Sequence, residues 1–146
     1  MTKVKDIDLS NFRNFKDFKT TFNNNLNIFF GENGCGKTNI LESISLIAKG
    51  RGIRNSNISN FIKNKTENFN IKTNIEIKNS FFEIEIYSNK VDEKYKKIIK
   101  VNDDASKESL NYLNESTSFL FFLPEMERLF QSSPTYRRSF IDRLIF

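Results

Sequence analysis

Residues 31–38 have the types and the spacing that could hold a nucleoside triphosphate. Glycine has no Cβ, so the glycines here let the backbone curl until successive N–H groups point at phosphate oxygens. The lysine that follows would reach the β- and γ-phosphates, and the threonine hydroxyl would ligate Mg²⁺. The stretch fits G-x-x-x-x-G-K-[ST] without a mismatch. The predicted ATP-binding residues are therefore Gly31, Glu32, Asn33, Gly34, Cys35, Gly36, Lys37 and Thr38, with Thr38 also the predicted Mg²⁺ ligand.

Two apolar stretches flank this loop and would position it. Residues 26–30 predict a strand that ends directly at the loop. After the loop, apolar residues recur at helical spacing and predict a helix over 38–48, which Gly50 and Gly52 end. Such a helix would add the positive end of its dipole to the phosphate site. The alternative is a glycine-rich turn that merely precedes a helix.

The remaining sequence is rich in strand patterns. Residues 69–77 and 81–87 each place apolar side chains on one face, with Asn79-Ser80 between them, which predicts an antiparallel hairpin. Further strands are predicted over 4–9, 18–22, 96–101 and 119–123, and helices over 107–113 and from Ser133-Pro134 onward. The predicted fold class is α/β. It divides into a phosphate-loop subdomain over 1–54, an antiparallel β region over 66–104, and a strand with helices over 117–146.

Composition limits the kinds of site that the chain can form. The 146 residues suit one domain, and a formal net charge of +5 suits an anionic partner such as nucleic acid without requiring one. The chain has no histidine and one cysteine, which excludes a zinc site or a Ser-His-Asp triad formed within it. The densest basic cluster is predicted to be an ordinary solvated strand edge; it consists of Lys94, Lys96, Lys97 and Lys100.

The sequence also predicts where the protein acts. No apolar run approaches the roughly 20 residues of a membrane span, and no apolar segment follows the first lysines. A single cysteine suits a reducing compartment. These features predict a cytoplasmic protein with no membrane partner. Phe146 stands on an unfinished amphipathic pattern, which indicates a chain cut from a longer protein.

Three blocks of the sequence resemble the RecF family of bacterial DNA replication and repair ATPases. They read LSNFRNFKDF, LNIFFGENGCGKTNILESISLIAKGRGIR and FLPEMERLFQSSPTYRRSFID, in the order and approximate spacing of that family. The first two are shared in outline with SMC-type and related ABC ATPases, whereas Pro124-Glu125 and SPxxRRxFxD favour RecF. The resemblance implies a P-loop NTPase fold like an ABC-ATPase head of the SMC and RecF type, truncated here, with an antiparallel β arm.

The resemblance implies roles for several residues outside the loop. Arg13 and Asn14 match an element that lies near the nucleotide in related heads, although a surface turn would also explain them. Arg51 and Arg54 follow the phosphate-loop helix, where an arginine of SMC-type heads couples DNA to the ATP site. Both could instead be solvated side chains.

The third block contributes a pair of arginines early in a predicted helix. Positive charge is electrostatically unfavourable there, which indicates a separate purpose. Arg137 is predicted to contact DNA phosphate, whereas Arg138 and Asp142 have the i,i+4 spacing of a salt bridge.

An ABC-type site also needs a Walker B strand that ends in carboxylates and a signature loop from a partner subunit. By resemblance, both lie beyond this chain. Residues 119–125 match Walker B poorly, because Pro124 stands where the aspartate is expected and Glu125 comes one place later. Gln131 does not obviously replace the glutamine that such heads carry near this region. The chain alone is expected to bind the phosphates of ATP without hydrolysing it.

The resemblance implies ATP-dependent binding of double-stranded or gapped DNA in replication and recombinational repair. Full-length members would dimerise around ATP and Mg²⁺ and load recombinase through RecO- and RecR-type mediators, in the SOS response to DNA damage. Two alternatives stay open: a self-contained small P-loop kinase with Glu125 near the metal, and a non-catalytic nucleotide-binding fragment. The strand-rich middle favours the first function over a kinase, whose sheet would be more evenly βαβ.

Overall fold

A single antiparallel sheet dominates the computed structural model, which describes residues 2–23, 25–48, 50–121, 133–135 and 138. Its strand order is β3-β2-β4-β5-β6, with β1 also paired to β4. The strands are β1 (Thr2–Val4), β2 (Asp6–Phe12), β3 (Phe15–Thr21), β4 (Asn70–Ile77), β5 (Ser80–Val91) and β6 (Lys94–Val101). The helices whose two ends both lie among the described residues are α1 (Lys37–Ser45), α2 (Lys107–Ser116) and the 3-10 helix Ile58–Phe61. Because β2 pairs with β4, the strands on either side of the phosphate loop belong to one sheet.

The predicted hairpin is confirmed by the pairing of β4 with β5. Its turn lies at Lys78-Asn79, one residue before the predicted position, and both residues have positive φ, 49° and 68°. Asp92 and Glu93, between β5 and β6, also have positive φ. Two positive φ values in a two-residue turn match the right-handed twist of the flanking strands. The backbone conformation of these two-residue turns therefore helps to fix the register of the arm.

Three phenylalanine rings fix the first β-turn against the rest of the core. Phe12 stacks on Phe61 at a centroid distance of 5.7 Å, and Phe69 meets their edges at 5.5 and 6.0 Å. All three rings are fully buried, and they share one core cluster with Leu46 and Ile47, which follow α1. The end of the phosphate-loop helix is therefore packed into the same core as the turn between β2 and β3.

Two predicted strands are wrong in the part of the chain that the structure describes. Residues 26–30 form no strand, and Leu26, Ile28 and Phe30 are 71%, 74% and 91% exposed. No described strand pairs with them, and an apolar run without a neighbouring strand has no ladder to join. Residues 119–121 also form no strand, with Leu120 56% exposed, while 122 and 123 lie outside the described residues.

Both helices occupy the predicted regions with different ends. Helix α1 ends at Ser45, three residues before the predicted end, and α2 extends to Ser116, three residues past it. Ser106 caps α2 by accepting a hydrogen bond from the Ser109 backbone N–H at 3.2 Å. Pro134, Thr135 and Arg138 are helical, where the last helix is predicted. The apolar face predicted for that helix (Tyr136, Phe140, Ile141, Leu144 and Ile145) lies outside the described residues.

Lys97 is not the solvated side chain that the sequence predicts, although β6 is an edge strand as expected. Its Nζ donates to the carbonyl oxygens of Leu46, Ala48 and Gly50 at 3.1, 3.3 and 2.7 Å. These carbonyls follow α1, so a cation complements this end of the helix. Burial lowers the pKa of Lys97 from 10.5 to about 8.

We expect this pKa to give the folding free energy a distinct pH dependence. Between pH 8 and 10.5 the unfolded chain holds a proton on Lys97 that the folded chain has lost. Stability should therefore rise with pH across this window, relative to Lys97→Met, by at most about 1.4 kcal/mol per pH unit. Urea unfolding at several pH values measures the slope. Lys96→Met, at an exposed position of the same strand, should keep the wild-type slope. Equal slopes for wild type and Lys97→Met would contradict the assignment.

Candidate nucleotide-binding site

The loop before α1 has a backbone conformation that requires its glycines. Gly31, Gly34 and Gly36 have φ values of 148°, 84° and 109°, in the region that L side chains rarely adopt. Gly36 is the N-cap of α1, and its carbonyl accepts from the backbone N–H groups of Asn39 and Ile40 at 2.8 and 3.1 Å. No side chain caps this helix end and its first turn has no acidic residue. Its unpaired N–H groups and positive dipole end therefore suit an anion.

Lys37 folds back across the loop that precedes it. Its Nζ donates to the carbonyl oxygens of Gly31 and Glu32, both at 2.8 Å, and lies 3.8 Å from the Cys35 Sγ. The ammonium is thus held at the loop by backbone acceptors that are weaker partners than a phosphate. A bound triphosphate would replace neutral acceptors with charged ones, which form stronger hydrogen bonds.

The donor set at the loop fits Mg²⁺ only together with a phosphate. The Thr38 side chain is exposed at the start of α1 and makes no hydrogen bond to another described residue. Within the described ranges, no group of three or more His, Cys, Asp or Glu residues could hold a metal ion. Mg²⁺ favours few protein oxygens combined with phosphate oxygens and water, so Thr38 suits it as one ligand among phosphates.

The turn between β2 and β3 packs directly against the phosphate loop. A Cβ on Gly36 would lie 2.5 Å from Phe15 Cζ and 2.9 Å from Asn14 Nδ2. The Asn14 side chain donates to the Cys35 carbonyl at 3.2 Å and accepts from Asn39 Nδ2 at 2.8 Å. Asn14 therefore joins the loop to both the turn and the helix.

The Arg13 side chain pairs with Glu42, a residue that the sequence analysis did not select as a site residue. Its Nε and Nη2 donate to the two carboxylate oxygens of Glu42 at 2.8 and 2.9 Å, and Nη2 also donates to Ser56 Oγ at 3.1 Å. The guanidinium lies 4.9 Å from the centre of the Phe61 ring. Glu42 is fully buried and is the sole acidic residue of α1. The sequence signal was limited to one acidic residue on an otherwise non-acidic helix, because the arginine that pairs with it lies 29 positions away.

The other predicted arginines differ in their surroundings. Arg54 Nη1 contacts Glu42 at 3.3 Å and Asn39 Oδ1 at 3.2 Å, with its side chain 44% exposed. Arg51 is exposed and lines a cleft of about 440 Å³ together with Asn57, Ser59, Lys94 and Tyr95.

Several predicted residues of the third block lie outside the described residues. They are Pro124, Glu125, Gln131, Arg137 and Asp142. Arg138 is helical and exposed, and its predicted ion pair with Asp142 stays a prediction.

Alkylation of Cys35 can be used to detect a ligand in the loop, because the thiol is exposed and lies beside the Lys37 ammonium. We expect Mg²⁺-ATP to slow alkylation of Cys35 several-fold, since a triphosphate in the loop would cover the thiol and draw Lys37 away from it. Mass spectrometry of iodoacetamide-treated protein measures the rate. Adenosine, which has no phosphates, should leave the rate unchanged. Equal rates with and without Mg²⁺-ATP would argue against phosphate in this loop.

The part of the chain that the structure describes contains no helix with the length and apolar character of a membrane span.

Comparison with known families assigns the class of protein. A model described as "AAA domain" matches residues 6–137, which is most of the chain. The chain belongs to the AAA domain family.

The chain is also similar to proteins named RecF. The chain is 37% identical over 143 residues to the DNA replication and repair protein RecF of Rickettsia prowazekii (strain Madrid E), covering 98% of this chain and 39% of that protein. It is 36% identical to the RecF of Rickettsia typhi (strain ATCC VR-144 / Wilmington), with the same coverage. The predicted resemblance to RecF is confirmed, and the chain spans about 39% of the length of these relatives.

Two solved structures agree with this likeness. The recombination mediator protein RecF-ATPrS in the RecFOR pathway superimposes with a TM-score of 0.78 at 31% identity, covering 99% of this chain and 38% of that chain. RecF-ATP in the same pathway gives a TM-score of 0.71 at 29% identity, covering 99% and 39%. The predicted P-loop NTPase fold class is therefore confirmed.

Proposed function

We propose that this chain is the ATP-binding portion of a RecF-like DNA replication and repair protein. The observation that carries the proposal is the loop ahead of α1, where glycines with positive φ, an uncapped helix start and the Lys37 ammonium converge. The names of the relatives support the repair function, and the RecF-ATP structure supports ATP as the ligand.

Each loop residue has a defined role in this proposal. Backbone N–H groups of residues 31–38 bind phosphate oxygens, and Lys37 moves from the carbonyls of Gly31 and Glu32 to the β- and γ-phosphates. The Thr38 hydroxyl binds Mg²⁺ together with phosphate oxygens. Hydrolysis needs, in addition, carboxylates that bind the metal and orient the attacking water.

Double-stranded or gapped DNA is the proposed macromolecular ligand. Arg51 is the foremost candidate contact, because it is exposed while Arg54 is held by the buried Glu42. Arg137 stays a candidate from the sequence. Within the full-length protein we further propose an ATP-dependent homodimer, RecO- and RecR-type mediators as partners, and a cytoplasmic location in the SOS response.

Duplex-DNA binding by a longer RecF-like chain, with and without Mg²⁺-ATP, tests this function. We expect affinity to rise with Mg²⁺-ATP and to fall linearly with salt on logarithmic axes, as counterions are released from phosphates. Arg51→Ala should make the salt slope less steep by about one unit if Arg51 contacts a phosphate, and Lys78→Ala, at an exposed hairpin turn, should not. Binding that ignores both nucleotide and salt would contradict the proposal.

Phosphoryl transfer to a small acceptor tests the alternative. Turnover by the 146-residue chain with such an acceptor would support a small kinase and overturn the RecF-like function. ATP binding without DNA binding or turnover, in the longer chain as well, would leave a non-catalytic nucleotide-binding protein.

A further inference from the structure

We propose that Glu42 is a positioning residue of the phosphate loop, acting through Arg13 and Asn14 to fix the orientation of the Cys35–Gly36 peptide. The inference rests on the proposed ATP-binding function and deepens it, because none of these three side chains needs to touch the nucleotide. In this proposal Asn14, which is predicted to lie near the nucleotide, orients the backbone peptide that binds the nucleotide.

The first step is the anchoring of a charge inside the protein. Glu42 is fully buried, and burial of a carboxylate is costly unless it is paired and hydrogen-bonded. Arg13 supplies a bidentate pair at 2.8 and 2.9 Å, and Arg54 adds a longer contact at 3.3 Å. A bidentate pair fixes the orientation of the guanidinium as well as its position. Glu42 therefore ties Arg13 to helix α1 in one geometry.

The second step is the attachment of the turn between β2 and β3 to the rest of the protein. The Arg13 backbone N–H donates to the Phe61 carbonyl at 2.7 Å, and the Arg13 guanidinium lies over the Phe61 ring. Arg13 has a φ of 54°, a conformation that L residues adopt only where the surroundings stabilise it. The next residue is held as well, since Lys63 Nζ donates to the Asn14 carbonyl at 2.7 Å. The turn therefore has fixed attachments on two sides.

The third step passes from the turn to the loop. Asn14 Nδ2 donates to the Cys35 carbonyl at 3.2 Å, and Asn14 Oδ1 accepts from Asn39 at 2.8 Å, which fixes the direction of the amide. The Cys35–Gly36 peptide is trans, so its N–H points opposite to its carbonyl. With the carbonyl held on Asn14, the Gly36 N–H points away from the turn.

The fourth step is the consequence for phosphate. A glycine-flanked peptide can rotate at low steric cost, and the reversed orientation would present a carbonyl oxygen where a phosphate needs a donor. One hydrogen bond to a charged acceptor is worth roughly the free energy of a tenfold change in affinity. The chain of contacts from Glu42 to Gly36 thus stabilises the loop in the orientation that suits an anion before the ligand arrives.

A double-mutant cycle on Mg²⁺-ATP affinity tests the proposal. Asn14→Ala removes an exposed side chain and should weaken Mg²⁺-ATP binding about tenfold. Glu42→Gln keeps the shape of the side chain, loosens the pair with Arg13, and should weaken binding by several-fold. The double variant should bind no more weakly than about Asn14→Ala alone, because Glu42 acts through Asn14. Glu85→Gln is the control: Glu85 is a partly buried carboxylate that accepts a hydrogen bond from Asn70 and is remote in sequence from the loop, so this variant should leave affinity unchanged.

The cycle separates the inference from the function on which it rests. If the wild-type chain does not bind Mg²⁺-ATP, the proposed function fails. If the wild type binds but Asn14→Ala binds equally well, or if the two effects add fully, the positioning role is overturned while the function stands. Thermal unfolding of each variant accompanies the titrations, and a loss of affinity in Glu42→Gln that persists in full after Asn14 is removed would mark a purely structural role.

Discussion

Gly36→Ala is expected to weaken Mg²⁺-ATP binding at least about a hundredfold, as measured by calorimetric titration. The residue has a φ of 109°, so any side chain strains the backbone by about 1–3 kcal/mol. The new Cβ would also lie 2.5 Å from Phe15 Cζ, and that ring is in turn packed on Phe18 at a centroid distance of 4.8 Å. The turn or the loop must move, and either movement breaks the Asn14 contact with Cys35.

Gly34→Ala is the matched control for this prediction. Gly34 also has a positive φ, 84°, but an added Cβ there would meet nothing within 4 Å. It should cost only backbone strain of about 1–2 kcal/mol and weaken binding by no more than about thirtyfold. If Gly34→Ala and Gly36→Ala bound Mg²⁺-ATP equally well, the contact between the loop and the turn would not determine the conformation of the loop.

Glu42→Ala is expected to lower the free energy of unfolding by about 3 kcal/mol, because it removes a fully buried carboxylate and leaves Arg13 without its partner. The Arg13 side chain is 19% exposed, and its remaining contacts with Ser56 and Phe61 cannot replace a bidentate carboxylate. Urea unfolding followed by circular dichroism gives the change, with the m-value checked for an altered denatured state.

Glu85→Ala provides the comparison on the sheet. Glu85 contacts Lys72 and Lys100 at 3.5 and 3.9 Å, and those lysines are 53% and 31% exposed. Ion pairs with solvated partners contribute about 0–1 kcal/mol, so this variant should lose much less stability than Glu42→Ala. Similar losses of unfolding free energy in both variants would show that the buried Glu42–Arg13 pair contributes no more to stability than the solvated pairs of Glu85.

The local patterns predicted those parts of the fold that short-range chemistry determines. Strict alternation over 69–77 predicted β4 and its buried face, since a half-buried strand repeats every two residues. The glycine spacing likewise predicted the position of the loop before α1. Neither feature depends on residues far along the chain.

Long-range contacts determined what the sequence did not reveal. Lys97 lies 47 positions from Gly50, and Glu42 lies 29 from Arg13, so neither partner could be identified from spacing. Residues 26–30 have the composition of a strand, yet a strand also needs a neighbour with which to share backbone hydrogen bonds. None of the described residues provides one for this segment.

Calorimetric titration of Mg²⁺-ATP into the wild-type chain and into Lys37→Ala tests the central claim most directly. We predict saturable binding to one site in the wild type and a loss of at least about a hundredfold in Lys37→Ala, because the ammonium that meets the phosphates is gone. Lys96→Ala, at an exposed position of β6, should bind like the wild type. Equal affinity in the wild type and Lys37→Ala, or no binding by the wild type, would contradict an ATP site at this loop.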